Sequence, residues 1–352
     1  MGPVISRPSE SVHELFEERA ALHPQKVAIL TGDETTSYGK LNHQANRIAH
    51  ALLASSLTPG EVVGVLSDRS PDLAAAMLGI WKAGGIYLPL AADLPDKRLS
   101  EMAQDCDAKI LITLNNQQVS SLLEKQITTT LNPARFNLNL PSTKPAGVKK
   151  VETAYILFTS GSTGKPKGTR IGHAAYLNLV MGMIEEYAMT EDDRMLMFSS
   201  PSFDVSLSDI GVPLVAGASF APISLQVLSS PSKLVELISN LKITILDLTP
   251  TYLRLLTGAP LPTVRILVTG GEAPFVADVA TYAKTHRYYN AYGPTENTIT
   301  SSLGLLCTDN QDGFSCGKPL PNTFIEIRNA YGHRLPPGVI GEVWLGGNNL
   351  AE

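Results

Sequence analysis

Cysteine, charge and long apolar runs are all scarce in this chain of 352 residues. Its three cysteines, Cys106, Cys307 and Cys316, form no Cys-x-x-Cys pair, so neither a disulfide framework nor a cysteine-rich metal site is expected. Charged residues make up 17% of the chain, and the formal net charge of −5 lacks the basic excess that non-specific nucleic-acid binding needs. No apolar run approaches membrane-spanning length, and residues 1–16 lack the pattern of a secretory signal. These absences predict a cytoplasmic protein with no nucleic-acid or membrane partner.

Short apolar segments recur along the chain. Residues 62–66 and 109–113 are typical of buried strands, whereas residues 72–82, rich in alanine, leucine and methionine, are typical of a helix. Such alternation predicts an α/β fold with a largely parallel sheet. Between these segments, the pair Gly84-Gly85 and Pro89 indicate turns.

Residues 155–168, YILFTSGSTGKPKG, are the most informative stretch. An apolar run at residues 155–158 predicts a buried strand, and the six residues after it are all small, hydroxylated or both. Glycines allow close approach of the backbone to a ligand, and successive N–H groups with hydroxyls form a concave anion site. Two lysines around Pro166 add positive charge. The stretch therefore predicts a strand that leads into a phosphate-binding loop.

Two common phosphate loops are excluded by spacing. A Walker loop has four residues between its glycines, but only Ser162 and Thr163 separate Gly161 from Gly164. The dinucleotide pattern G-x-G-x-x-G is absent as well. A flexible Ser/Gly surface turn is the remaining alternative, but such a turn has no need of the apolar strand before it.

The segment TSGSTGKPKG resembles the signature loop of the adenylate-forming enzymes, which include peptide-synthetase adenylation domains, acyl- and aryl-CoA ligases and luciferases. Three further segments resemble family motifs in family order: FDVS at 203–206, NAYGPTE at 290–296, and GEVWLGG at 341–347 in place of GELYIGG. The resemblance covers about residues 12–352. It implies a multilayered α/β core of two subdomains with mostly parallel sheets (residues 1–315) and the start of a small antiparallel β-barrel (residues 316–352). It also implies that the family's C-terminal lid domain lies beyond residue 352.

The reaction that the resemblance implies is attack of a carboxylate on the α-phosphorus of ATP, which gives an acyl-adenylate and pyrophosphate. Both reactants are anionic, so the protein must neutralise charge and align them. Thr295 and Lys167 are the implied catalytic residues, with Thr295 at the α-phosphate, and Glu296 is the implied Mg²⁺ ligand. The implied ATP- and AMP-binding residues are Thr159, Ser160, Gly161, Ser162, Thr163, Gly164, Lys167, Gly270, Gly271, Glu272, Asn290, Ala291, Tyr292, Gly293 and Thr295. Taken alone, Glu296 would be interpreted as a surface carboxylate and Tyr292 as a packing residue.

The resemblance also implies a substrate pocket, in which Asp204 pairs with the α-ammonium of an amino acid. Asp247 is its unusual member, since it interrupts an apolar strand. A second carboxylate favours a substrate with a cationic side chain, similar to ornithine or lysine. The alternative is a small amino acid or another ammonium-bearing acid, with Asp247 hydrogen-bonded to the protein. The implied pocket residues are Phe203, Asp204, Val205, Ser208, Asp247, Val268, Gly270, Ala291, Ile299 and Thr300.

Three functions remain open at this point. The first is an amino-acid-activating adenylation domain that uses ATP and Mg²⁺ and loads a phosphopantetheinyl carrier domain. The second is the adenylation part of an acyl- or aryl-CoA ligase or of a carboxylic acid reductase. The third is a non-catalytic ligand-binding remnant, against which the intact loop and the Thr295-Glu296 pair argue.

Overall fold

The structure is a computed structural model, which describes residues 1–6, 9–32, 34–115, 117–135, 140–159, 166–256, 258–308 and 314–352. Strands and helices alternate through most of the described chain. The helices are α1 (Val12–Leu22), α2 (Tyr38–Ala54), α3 (Leu73–Lys82), α4 (Asp96–Asp105), α5 (Ser121–Glu124), α6 (His173–Tyr187), α7 (Val205–Ala216), α8 (Leu225–Leu228), α9 (Pro231–Leu241), α10 (Pro250–Leu255) and α11 (Val276–Tyr282), with short 3₁₀ turns at Pro133–Arg135 and Thr295–Asn297.

The strands fall into three sheets. They are β1 (Val27–Thr31), β2 (Glu34–Ser37), β3 (Val62–Ser67), β4 (Ile86–Ala91), β5 (Ile110–Thr113), β6 (Thr129–Leu131), β7 (Thr153–Thr159), β8 (Lys167–Gly172), β9 (Arg194–Met197), β10 (Ser219–Pro222), β11 (Ile245–Leu248), β12 (Ile266–Gly270), β13 (Arg287–Tyr292), β14 (Ser302–Leu305), β15 (Lys318–Pro319), β16 (Thr323–Arg328) and β17 (Glu342–Gly347).

The largest sheet has the order β15-β14-β13-β12-β11-β9-β10-β1-β2. Its six central strands, from β13 to β1, are parallel, and antiparallel strands lie at both edges. From β9 the chain first adds β10 on one side and then returns to add β11, β12 and β13 on the other side. The order therefore reverses between β9 and β11, and in open α/β sheets ligands bind at such a switch point, outside the carboxyl ends of the strands.

The second sheet has the order β6-β5-β3-β4-β7-β8, and only its last pair, β7 and β8, is antiparallel. The third sheet is the antiparallel hairpin β16–β17, and no closed barrel is present among the described residues. The expected α/β class with mostly parallel sheets is confirmed. The predicted boundary at residues 315/316 stays a prediction, although β15, just after it, pairs with β14 of the largest sheet.

One buried apolar cluster joins the two large sheets. It contains Val65 of β3 and Tyr155 of β7 from one sheet, and Met195 of β9 and Val268 of β12 from the other. Helices α1, α6 and α7 contact one another within this region, and Tyr176 of α6 is fully buried there. Because burial of apolar surface is the main stabilising term, this shared core holds the two sheets together as one body.

The prediction of a turn at Pro89 is wrong. Pro89 lies inside β4, a fully buried strand between β3 and β7. Its ladder with β3 is continuous and pairs Pro89 with Val65, whereas the ladder with β7 contains only the pair Tyr87–Tyr155. Proline has no N–H to donate, so the strand tolerates it where the β7 ladder has already stopped. The pair Gly84-Gly85 does form the predicted turn.

The search for membrane-spanning helices gives a negative result over the described residues, where every helix is too short or too polar to cross a bilayer.

Candidate active site

Four parallel strands bring the predicted site residues to one edge of the largest sheet. Asp247 of β11 is in register with Val268 of β12, and Gly270 of β12 is in register with Ala291 of β13. Asp204 follows the carboxyl end of β9 and directly precedes α7. Since parallel strands end at the same edge, residues far apart in sequence converge there, next to the switch point between β9 and β11.

Three aspartates form an electrostatically coupled cluster in this region. Burial raises the pKa of Asp204, and the nearby charge of Glu296 acts in the same direction. Burial, and then the charge of Asp204, raise the pKa of Asp247 to about 7. Burial, and then the charge of Asp247, raise the pKa of Asp209 well above its usual range. A cationic group placed among these carboxylates would lower all three pKa values.

The three carboxylates differ in their hydrogen bonds. Thr295 Oγ1 donates to Asp204 Oδ2 at 2.7 Å. The backbone N–H of Ser199 donates to Asp209 Oδ2 at 3.2 Å. No described residue donates a hydrogen bond to the Asp247 side chain, which is 8% exposed on a buried strand. A buried carboxylate without a donor is costly, so Asp247 either holds a proton or needs a ligand.

Asp209 was missed in the sequence. It is fully buried in α7, five residues after Asp204, and its Oδ1 has no partner among the described residues. The hydroxyls of Ser208 and Tyr187 are also buried and have no hydrogen-bond partner among the described residues. Burial and the charges of Asp247 and Asp209 keep the pKa of Tyr187 well above its usual range. Asp209 is the charged residue of an α7 segment that is otherwise uncharged, and this was the signal in the sequence that could have identified it.

The remaining pocket residues line the same region with small or apolar groups. Val268 is fully buried, Ser208, Ile299 and Thr300 are nearly so, and Val205 is half-buried. Phe203 differs from them because it is 64% exposed, outside the buried pocket. A Cβ added to Gly270 would lie 3.1 Å from the carbonyl oxygen of Ala291, so a side chain there would crowd this wall.

The expected adenine-binding residues lie at the ends of β12 and β13. Tyr292 is 39% exposed at the end of β13, so a ligand can reach part of this residue. Asn290 Nδ2 donates to the Ser315 carbonyl at 3.2 Å, which leaves Asn290 Oδ1 as an acceptor for an amino group. Gly271 has φ +82, and an added Cβ would meet no other atom there. Glycine is therefore needed at this position for the backbone conformation of the turn and not to make space for the adenine base. Glu272 is exposed and accepts a hydrogen bond from Thr251.

The signature loop joins two antiparallel strands. Thr159 at the end of β7 pairs in register with Lys167 at the start of β8, and the Lys167 side chain is exposed. The sequence did not predict this hairpin. Five predicted phosphate-binding residues lie outside the described residues: Ser160, Gly161, Ser162, Thr163 and Gly164.

Glu296 has the character of a ligand for a hard cation. Its carboxylate is exposed and has no hydrogen-bonding or ion-pairing partner among the described residues. The described residues contain no group of three or more His, Cys, Asp or Glu residues that could hold a metal. Mg²⁺ often uses one or two protein carboxylates together with phosphate oxygens and water. A single exposed carboxylate beside Thr295 therefore fits Mg²⁺ that arrives with a nucleotide.

Comparisons with known proteins agree with this geometry. A family model described as AMP-binding enzyme matches residues 16–352. Tyrocidine synthase 1 from Brevibacillus parabrevis is 36% identical over 361 residues, which cover 97% of this chain and 32% of that protein. A dimodular nonribosomal peptide synthase from Bacillus subtilis (strain 168) is 33% identical over 354 residues, which cover 97% of this chain and 15% of that protein. The chain thus spans a small part of the length of these relatives.

Solved structures give the same result. The nonribosomal peptide synthetase FmoA3 has a TM-score of 0.90 at 26% identity and is matched over 99% of this chain and 38% of its own. A four-domain nonribosomal peptide synthetase bound to AMP and glycine has a TM-score of 0.88 at 27% identity, over 99% of this chain and 26% of its own. Sequence and structural similarity along nearly the whole chain place it in the family of AMP-binding, adenylate-forming enzymes, among the adenylation domains of nonribosomal peptide synthetases.

Proposed function

We propose that this chain activates an amino acid with a cationic side chain, by forming its aminoacyl-adenylate from ATP. The observation that carries the proposal is the position of Asp204. Its desolvated carboxylate accepts a hydrogen bond from Thr295, which precedes the expected metal ligand Glu296. An α-ammonium on Asp204 would bring the substrate carboxylate towards Thr295 and the phosphates, which is the alignment that the reaction needs.

The chemistry is a single displacement at phosphorus. An oxygen of the substrate carboxylate forms a bond to the α-phosphorus, and the bond from that phosphorus to the bridging oxygen breaks, so pyrophosphate leaves with the electron pair. Lys167 would contribute positive charge to the phosphate side. Thr295 would donate its hydroxyl proton to an α-phosphate oxygen once the substrate's α-ammonium replaces it on Asp204. Glu296 would hold Mg²⁺, which supplies further positive charge to the phosphate oxygens when it is bound.

The cationic side chain follows from Asp247 and Asp209. The alternative, in which Asp247 is hydrogen-bonded to the protein, has no support, because no described group donates to it. A second ammonium group would compensate the charge of Asp247, whereas a neutral side chain would leave Asp247 to be buried as the protonated acid. Ornithine- or lysine-like substrates supply that charge on a chain of three or four methylene groups.

An acid without an ammonium group fits this pocket less well. A fatty or aryl acid would leave the desolvated carboxylate of Asp204 compensated only by the neutral Thr295 hydroxyl. For this reason we favour amino-acid activation over the CoA-ligase alternative. Transfer of the activated acid to a phosphopantetheinyl carrier is proposed on similarity to peptide synthetases alone.

The test is amino-acid-dependent exchange of labelled pyrophosphate into ATP by the full-length protein. The panel contains ornithine, lysine, their uncharged isosteres norleucine and 2-aminoheptanoate, and 3-hydroxybenzoate. We expect exchange with a cationic amino acid and a loss of at least roughly tenfold in kcat/KM for it in Asp247→Asn, while norleucine gains. Exchange with only uncharged amino acids would refute the cationic substrate and keep adenylation. Exchange with only 3-hydroxybenzoate would support the aryl-acid alternative, and no exchange with any acid would support a binding remnant.

A further inference from the structure

The turn at residues 298–300, which we call the wall turn, has a strained backbone. Thr298 has φ +51 and Ile299 has φ +64. Both are β-branched, and such residues rarely adopt the left-handed region because Cβ then lies too close to the backbone. Strained residues persist only where the surrounding structure holds them, and they concentrate at binding and catalytic sites. Ile299 and Thr300 are both expected pocket residues, so the contacts that hold this turn also shape the pocket.

Asn349 holds the wall turn from one side. It is 0% exposed. Its carbonyl oxygen accepts a hydrogen bond from Thr298 Oγ1 at 2.6 Å, and its Nδ2 donates to the Thr300 carbonyl at 3.4 Å. Asn178 of α6 fixes the Asn349 side chain in turn, because its Nδ2 donates to Asn349 Oδ1 at 2.7 Å. The same side chain therefore accepts at Oδ1 and donates at Nδ2, which only an amide of this size can do there.

The nucleotide side holds the wall turn from the opposite side. A Cβ added to Gly293 would lie 2.3 Å from the Ile299 carbonyl oxygen, so this glycine packs directly on the turn. The N–H of Ser301 donates to the Tyr292 carbonyl at 2.8 Å. The wall turn is therefore fixed between the end of β13, which carries the expected adenine-binding residues, and Asn349.

The segment after Asn349 also reaches the expected metal ligand. The N–H of Ala351 donates to the Glu296 carbonyl at 2.9 Å. Residues 349–351 thus contact both the wall turn and the backbone of Thr295–Asn297, which are neighbouring parts of one loop. A displacement of Asn349 would move the pocket wall relative to Asp204 and Glu296.

We infer that Asn349 is a positioning residue for amino-acid selection, which acts through the wall turn and is itself oriented by Asn178. The inference rests on the proposed function, since it assigns the pocket to an amino acid. Asn349 is fully buried, so its effect on a ligand would pass through the wall turn. Its effect is to keep Thr298 and Ile299 in a strained backbone conformation that they would otherwise leave, and thereby to position Thr300.

The test uses Asn349→Ala, Asn178→Ala, the double variant, and Asn348→Ala as the matched control. Asn348 is the exposed neighbour, and its one hydrogen bond to any described residue runs from its backbone N–H to the Asn322 carbonyl. We expect Asn349→Ala to raise the KM for the amino acid by roughly tenfold in pyrophosphate exchange, as for a lost buried hydrogen bond, with little change in the KM for ATP. Asn178 also makes hydrogen bonds with Pro321 and Asn322, so we expect the double variant to raise the KM by less than the product of the two single effects, because Asn178 and Asn349 share one contact. Equal KM values in Asn349→Ala and Asn348→Ala would overturn the inference.

A second readout needs no substrate. Amide hydrogen exchange at residues 298–301 should become faster in Asn349→Ala and unchanged in Asn348→Ala, while strand β12 stays protected in both. If Asn349→Ala does not fold, Thr298→Val removes the hydrogen bond to the Asn349 carbonyl without changing side-chain shape, and it should speed the same amides. Absence of exchange activity in the wild type would refute the proposed function only, since the amide data would still decide whether Asn349 holds the wall turn. Unchanged amide rates at residues 298–301 would refute the positioning role itself.

Discussion

Two buried histidines are expected to make this protein acid-labile. His13 of α1 and His173 of α6 are in contact, with ring centroids 5.3 Å apart, and the His173 ring lies 5.4 Å from that of Trp81 in α3. Both Nδ1 atoms are buried without a partner among the described residues. The two rings also line a cavity of about 520 Å³. A proton added to either ring would create a desolvated cation at the junction of three helices, which the charge of Glu14 compensates only in part.

The magnitude follows from proton linkage. The pKa of His13 is lowered to about 4, mainly by burial; the charge of Glu14 opposes this, and smaller effects of Lys82, Lys144 and Lys150 add to it. Burial, and then the neighbouring His13, lower the pKa of His173 to about 3. Both values lie below the usual 6.5, so the unfolded chain binds more protons, and stability is lost as the pH falls from 6.5 towards 4 and 3. At pH 5 each histidine costs about 2 kcal/mol relative to pH 7.5, or about 4 kcal/mol together.

The carboxylates of the active site act in the opposite direction. The pKa of Asp247 is raised to about 7, so its burial costs stability as the pH rises from 3.8 through 7, and acid relieves that cost. The pH profile of the wild type alone therefore mixes two contributions of opposite sign. Only variants that remove one histidine at a time separate them.

The assay is urea unfolding at pH 7.5 and pH 5, followed by tryptophan fluorescence, for the wild type, His13→Gln, His173→Gln and the control His43→Gln. His43 is exposed on α2. Glutamine keeps a polar amide but does not titrate near these pH values. We expect each buried-site variant to reduce the difference in unfolding free energy between the two pH values by about 2 kcal/mol, and the control to leave it unchanged. If all four proteins show the same difference, then the two rings are not kept neutral by burial.

Three further predictions concern single contacts. Thr295→Val removes the donor to Asp204, which raises the pKa of that carboxylate, and it should raise the KM for the amino acid by roughly tenfold at pH 7. A higher pH should partly restore the KM by ionising Asp204 again, and Thr295→Ser should stay close to the wild type. Lys82→Met should destabilise the protein by about 3 kcal/mol in urea unfolding, because Asn42 and Asn46 lose a buried donor and Glu17 keeps, among the described residues, only the exposed Lys144. Lys26→Met, at a more exposed pair, should cost less than about 1 kcal/mol. Gly293→Ala should abolish pyrophosphate exchange, since the new Cβ would lie 2.3 Å from a carbonyl oxygen of the wall turn; normal exchange in a folded variant would contradict this packing.

Much of the fold could be predicted because strand and helix patterns depend on local residue periodicity. The apolar runs at residues 62–66 and 109–113 became β3 and β5, and residues 72–82 became α3. The position of Pro89 inside a strand could not be predicted from the sequence. A strand accepts proline only where no N–H is needed, and here that depends on where the ladder with the neighbouring strand β7 stops. The hairpin β7–β8 was missed for a related reason, because strand pairing across a ligand loop leaves little trace in composition.

Motif spacing predicts Asp204 and Asp247 as pocket carboxylates, and this stays a prediction. Asp209 was overlooked, because only tertiary contacts bring it into the same electrostatic cluster. Asn349 carries no pattern at all. Its importance comes from hydrogen bonds to residues 51 and 171 positions away along the chain. The positive φ angles of Thr298 and Ile299 likewise contradict local preference, as is expected where function requires a strained backbone.

In the proposed function, the carboxyl groups and the positive charge belong to different parts of the site. Asp204, Asp209 and Asp247 lie next to the switch point of the large sheet, whereas Lys167 begins β8 in the second sheet. A zwitterionic substrate placed between them would direct its ammonium group to the aspartates and its carboxylate to the phosphates. Such an arrangement would bring an anionic carboxylate to an anionic nucleotide without a cation at every contact, because the substrate's own ammonium group would offset part of the electrostatic cost. A second positive charge on the side chain would extend the same logic to Asp247, so under the proposed function substrate choice and the alignment of the reacting groups would depend on one set of carboxylates.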